Sequence, residues 1–362
     1  QGRGAALARR SSSFRQALRP FPTGTATMSW SGHALGFAPA ATRWAAATGW
    51  RSAPRMGASL EAAAGWRSPS AVQPRRCFNS GENFKHCQDL VQTNDIESFL
   101  CLPFLPTSAR AAVVAVKAFN VEIARASDKS KNPRAVEMRL QWWNAVLENI
   151  AKQKPAEHPL AQALYEAVED CDLDIVHLHS LVNHRIDELE VPQPPTEKEV
   201  FEYAEGTQSA MLYLSLQALG EYEHEGNKLA AKHVGIAMGM CLLLRGTHHH
   251  ALRNKLWIPK NMTTHFKLSP GSVAKGLPTQ ELSSCAYEMA MLAQEHLNLA
   301  EKAGWNAGAL PALYPAAIAR IYLEQLAERE YDLMHPLWRD PSEAIRWRMP
   351  YALIKNRVLG TF

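Results

Sequence analysis

The chain has 362 residues, 46% of them hydrophobic and 20% charged, proportions that exclude both a disordered chain and a polytopic membrane protein. Its net charge of +4 is unevenly placed: residues 1–80 hold eleven arginines against one acid, Glu61, a net of +10 that leaves −6 for the rest. A mildly acidic body with one basic end excludes nucleic acid as a partner, since phosphate contact needs basic residues gathered on the folded surface.

Residues 1–80 are rich in Arg, Ala, Ser, Gly and Trp, the composition of a mitochondrial transit peptide. Arg76 stands three residues before a boundary after Phe78, a spacing that resembles sites cut by the matrix processing peptidase. A disordered, Arg-rich tail has the same composition, and that alternative stays open. The six cysteines, Cys77, Cys87, Cys101, Cys171, Cys241 and Cys285, form no Cys-x-x-Cys pair and fit free thiols in a reduced compartment. Val234 to Leu244 is the longest nearly unbroken apolar run, well short of the roughly 18–20 residues that span a bilayer. Any membrane association is then peripheral.

From Asn83 onward the apolar spacing is near 3.6, and no alternating β-branched runs bounded by hairpin turns occur. The pattern predicts helices over 87–101, 107–125, 134–152, 158–170, 173–189, 197–220, 226–247, 280–303, 308–330 and 342–359, in one all-α bundle from about 84 to 362. Thr196 with Glu199, and Asp340 with Glu343, form capping boxes in which each side chain satisfies an amide that the first turn leaves unpaired. Pro341 falls at a first helical position, where its missing N–H costs nothing. Ala111–Phe119 and Val234–Leu244 are apolar around much of the helix, so both should lie at the bundle's centre and face one another. Trp142, Trp143, Trp257, Trp338 and Trp347 could line a ligand channel, but packing into the core is the stronger expectation.

Four segments carry a resemblance. Lys117-Ala-Phe-Asn-Val-Glu-Ile-Ala-Arg-Ala-Ser-Asp128 resembles the first aspartate-rich helix of the squalene and phytoene synthases, and Gly235 to Pro259 resembles the second. Between them, Arg139-Leu-Gln-Trp-Trp143 and Tyr203-Ala-Glu-Gly-Thr207 resemble further family segments. The resemblance spans about residues 88–355 and implies the all-α isoprenoid synthase bundle. In its register the paired aspartates of the first motif fall on Ala124 and Arg125, and those of the second on Gly246 and His250; Asp128 alone persists.

The family ionises a diphosphate with magnesium held on those carboxylates, and hard cations require such oxygen ligands. Their replacement implies a pseudoenzyme without cofactor or metal. The pattern is most similar to a non-catalytic branch that serves respiratory complex I assembly in mitochondria. This implies, as partners, assembly intermediates or other assembly factors on the matrix side of the inner membrane. The alternative is a protein that binds a prenyl or other anionic lipid, or transfers it, through a remnant cavity lined by Asp128, Tyr203, Arg245, His249, Arg253 and Lys255. Arginine forks suit phosphate, although basic residues at a helix end also answer its negative dipole, and that reading weighs more. His248, His249 and His250 are about 100° apart on a helix and cannot converge on one ion. His177, His179 and His184 read as surface or satisfied core groups.

Overall fold

The computed structural model describes residues 81–130, 132–339 and 347–362. The predicted targeting segment 1–80 and the Asp340–Glu343 box with Pro341 lie outside them. All regular structure among the described residues is helical.

The first half comprises α1 (Glu82–Asn94), α2 (Ile96–Cys101), α3 (Thr107–Ala124), α4 (Ala126–Lys129), α5 (Pro133–Ala151), α6 (Pro159–Cys171) and α7 (Ile175–Glu190). The predicted helix over 87–101 is two helices because the Asp95 side chain accepts from the Ser98 amide at 3.0 Å and starts a new one. Pro133 and Pro159 occupy first-turn positions, each behind a side-chain cap, Asn132 on Arg134 and His158 on Leu160. Asp174 caps α7 in the same way.

The second half comprises α8 (Glu197–Ala204), α9 (Ala210–Leu219), α10 (Glu225–Arg245), α11 (Thr247–Ala251), α12 (Lys260–His265), α13 (Pro270–Ala274), α14 (Gln280–Glu301), α15 (Leu310–Leu313), α16 (Pro315–Glu328) and α17 (Arg348–Leu359). The Thr196–Glu199 capping box closes as predicted, the glutamate accepting from the Thr196 amide at 2.9 Å. The predicted helix over 197–220 is interrupted by a π-helical segment at Glu205–Ser209. That segment packs against α10 closely enough that a Cβ at Gly235 would lie 2.4 Å from the Ser209 Cα. The short helices α4, α11, α12 and α13 escape the periodicity, since one turn gives no repeat to detect.

Two apolar clusters hold the chain together. One surrounds α3 with α1, α5, α6 and α7, and contains Phe119 with the Trp143 ring edge-on at 5.2 Å. The other surrounds α10 with α14 and α16. Helix α9 is apolar on all sides and feeds both, Met211 and Leu214 into the first, Leu212 and Leu216 into the second. The two apolar runs expected to face one another therefore do not interdigitate: each is the centre of its own cluster, and a cavity lies between them. Trp143 and Trp338 are buried as expected, but Trp142 and Trp347 are 46% and 74% exposed. Trp142 follows the helical turn away from Trp143, and Trp347 opposes the buried Met349 and Leu353 of α17.

Candidate functional site

The cavity between α3 and α10 has a volume of about 280 Å³. Helix α3 supplies Lys117, Asn120, Val121 and Ala124, and α10 supplies Gly235, Met238, Leu242 and Arg245, each set spaced to share one helical face. Residues 94–98, Arg125, Gln208 of the π segment, Met211 and Leu212 of α9, and Pro315 and Ile318 of α16 complete it. The π turn places Gln208 at the wall while Thr207 donates to the Tyr203 carbonyl at 2.7 Å. Asn120 is held by Arg185, which donates to its amide oxygen at 2.6 Å.

Charge in the cavity is unevenly matched. Arg245 donates to the Glu97 carboxylate and to the Tyr322 hydroxyl, and Tyr322 donates in turn to Glu97. The guanidinium also sits 4.7 Å from the centroid of the Tyr322 ring. Burial pushes the Glu97 carboxyl up to about 7, outweighing the nearby Arg245 charge that pulls it down. Lys117 is 8% exposed and makes no hydrogen bond or ion pair among the described residues. The stem is buried, while the ammonium is not closed off from solvent and opens onto the cavity.

Of the six residues expected to line the cavity, Arg245 alone does so. Asp128 of α4, Arg253 and His249 form a surface group outside the cavity: Arg253 donates to Asp128 at 2.6 Å and touches His249, whose Nε2 stands 3.8 Å from the same carboxylate. Both members of the pair are close to half exposed, so it adds little stability. Tyr203 and Lys255 meet on Glu188 instead, the phenol donating to its carboxylate at 2.7 Å and the ammonium to its carbonyl at 2.7 Å. Trp257 lies 4.3 Å from the Tyr203 ring. Burial beside Glu188 drives the Tyr203 phenol well above its ordinary value. His250, packed near Trp257, is pushed down to about 4 by burial and is neutral at physiological pH.

The other histidines are held by neutral partners: His177 by the Tyr222 hydroxyl at 3.1 Å, His179 by Asn144 at 2.9 Å and His184 by the Ser180 carbonyl at 2.9 Å. Sequence reasoning missed Glu97, Lys117 as a cavity group, and Tyr322. The signal for Lys117 was present, a single charge inside Ala111–Val121, and Glu97 likewise opens an otherwise apolar turn.

The family signature of the squalene/phytoene synthases matches residues 91–349. The chain belongs to that family. NADH dehydrogenase (ubiquinone) complex I, assembly factor 6, of Homo sapiens is 30% identical over 255 residues, 69% of this chain and 76% of the human protein. The factor of the same name in Mus musculus is 28% identical, over 74% of this chain and 82% of its own. A dehydrosqualene synthase crystallised with ligand superposes with a TM-score of 0.68 at 17% identity, covering 76% of this chain and 96% of that one. Squalene synthase HpnC from Alicyclobacillus acidocaldarius superposes at 0.62 and 13% identity, over 69% and 95%. The all-α isoprenoid synthase fold expected from the four motifs is therefore the fold observed. These two relatives by sequence are named as assembly factors, and these two neighbours by structure as synthases.

The magnesium on which the synthases rely does not suit the residues present. Glu97 is committed to Arg245 and Tyr322, Asp95 caps α2, and Asp128 pairs with Arg253 outside the cavity. Lys117 and Arg245 add positive charge where a cation would need oxygen ligands.

Proposed function

We propose that this chain is a non-catalytic assembly factor for mitochondrial respiratory complex I, acting early in assembly on the matrix side of the inner membrane. Residues 1–80 would direct its import and the helical body from 84 onward would do the work. The observation that carries this reading is the match to human complex I assembly factor 6, across most of both chains. The positions that resemble the family's carboxylates support the absence of chemistry: they hold Ala124 and Arg125, which line the cavity, and Gly246 and His250, which do not, and none is a carboxylate such as magnesium needs. Partners are then assembly intermediates or companion factors.

Removal of the chain from cells should lower assembled complex I on native gels, and re-supply should restore it. Normal complex I in the cells lacking it would overturn the proposal.

A second reading is favoured by Lys117, whose ammonium opens onto the cavity and makes no hydrogen bond or ion pair among the described residues. The cavity would take the anionic head of a prenyl or other lipid directly, without metal, as Arg and Lys bind phosphate. Re-supply with Lys117→Met separates the two. Full rescue at equal abundance assigns the function to the surface, and loss of rescue in a folded, imported variant assigns it to a bound anion.

A further inference from the structure

Helix α17 is apolar on two opposite faces. Met349 and Leu353 are buried against the second cluster. Trp347, Tyr351, Ile354 and Val358 are 74%, 71%, 59% and 79% exposed. Their spacing of four, three and four residues puts them within about 60° of one another at about 100° per residue, a continuous outward stripe. Single exposed apolar residues need no explanation, whereas four aligned on one helix mark a contact surface.

The charges beside the stripe indicate what it meets. Arg348 and Lys355 lie along one edge and Arg357 along the other, and no acidic residue occurs from Trp347 to Phe362. Arg348 is answered by Glu328 at 3.0 Å, while Lys355 and Arg357 are exposed and make no ion pair among the described residues, Arg357 also lying within reach of the Tyr314 hydroxyl. The helix is also fixed in place. It ends at Gly360, whose φ of 66° suits a residue without Cβ, and the chain turns back so that Phe362 is buried against Trp305, with ring centroids 5.0 Å apart.

An apolar stripe with Trp and Tyr at one end, aliphatic residues at the other and basic residues on both flanks matches the cross-section of a bilayer surface. With the helix lying in the interface the whole stripe faces the acyl boundary, the polar tips of the rings stay at headgroup level, and the flanking cations meet anionic headgroups. No described helix is long and apolar enough to cross a membrane, so a surface contact is the attachment that this helix can make. We infer that α17 docks the protein flat on a membrane bearing anionic phospholipid, through Trp347, Tyr351, Ile354 and Val358 with Lys355 and Arg357 at the edges. This deepens the proposed inner-membrane placement and rests on that reading only for which membrane is met.

The test is co-sedimentation of the full chain with vesicles of phosphatidylcholine alone, or with roughly three in ten lipids replaced by phosphatidylglycerol. The wild type should sediment with the anionic vesicles and stay largely in solution with the neutral ones. A Lys355→Glu, Arg357→Glu variant should lose about tenfold in binding, and a Trp347→Ser, Tyr351→Ser, Ile354→Ser variant at least as much. The serine variant replaces exposed groups only and should keep the wild type's circular dichroism and melting midpoint; Lys355→Gln, Arg357→Gln, which places no new carboxylate beside Glu324, should also lose binding and shows that the loss in the glutamate variant is not a loss of fold. Wild-type protein that ignores anionic vesicles, or variants that bind like it, would overturn the inference. So would a stripe that is needed to capture an assembly intermediate but not to bind vesicles, since that makes it a protein surface. Vesicle binding without any effect of the chain on complex I overturns the assembly reading alone; intact complex I rescue without vesicle binding overturns the docking alone.

Discussion

Glu97 and Lys117 share one cavity but differ in how their charge is answered. The Glu97 carboxyl titrates at about 7 in the folded protein against 4.5 for the free side chain, because burial disfavours its charged form. Between those values the folded state binds the extra proton. The carboxyl's contribution to stability is therefore complete below about pH 4.5 and is lost as pH rises through 7. Glu97→Gln stays neutral throughout and should gain on the wild type by on the order of 1–3 kcal/mol between pH 5 and pH 8. Urea melts at the two pH values measure this, and a difference that does not change with pH would refute it. Lys117→Met removes an ammonium that water in the cavity already reaches, so it should change the stability of the ligand-free protein by no more than about 0.5 kcal/mol. A loss of more than about 1 kcal/mol would mean that the ammonium has a partner in solution.

The elements show where local signals suffice and where they fail. Long helices such as α3, α5 and α14 were legible within a residue or two because three or more turns repeat one apolar face. The break at Asp95 and the π turn at Glu205–Ser209 were not. The first depends on which of two local hydrogen bonds the chain makes, and the second on how α10 presses against the segment. Gly235 appeared in the sequence as part of a family motif, yet its physical reason is the neighbouring backbone. A Cβ there would stand 2.2 Å from the Ser209 Oγ and 2.4 Å from the Ser209 amide nitrogen. Both the hydroxyl, which donates to the Lys232 carbonyl at 2.8 Å, and the main chain would have to move. Gly235→Ala should cost about 1–3 kcal/mol by this overpacking, and a change within about 0.5 kcal/mol in urea unfolding would show that the two elements separate freely.

At the scale of the molecule, the sequence motifs located the right helices but not the right neighbours. Helical spacing orders residues around one axis, whereas the site depends on how two axes are placed. Tyr203 and Lys255 therefore converge on Glu188, and Asp128 and Arg253 on each other, while Glu97, far from every motif, reaches Arg245. The cavity that separates α3 from α10 is close to the lower end of ligand pockets, about 300 Å³, and its lining holds the cations of Lys117, Arg125 and Arg245 together with the carboxyls of Asp95 and Glu97. A discriminating thermal-shift experiment follows. Magnesium with farnesyl diphosphate should leave the melting midpoint unchanged relative to farnesyl diphosphate alone, because the described carboxyls that line the cavity, Asp95 and Glu97, are already engaged. A ligand at about a hundred times its dissociation constant stabilises the folded state by about 2.7 kcal/mol, which is several degrees for a chain of this size. A magnesium-dependent rise of that order would show that the carboxylates can regroup around a cation and would sink the non-catalytic reading. A rise that needs no magnesium, and disappears in Lys117→Met, would instead assign the cavity to a metal-free anionic ligand.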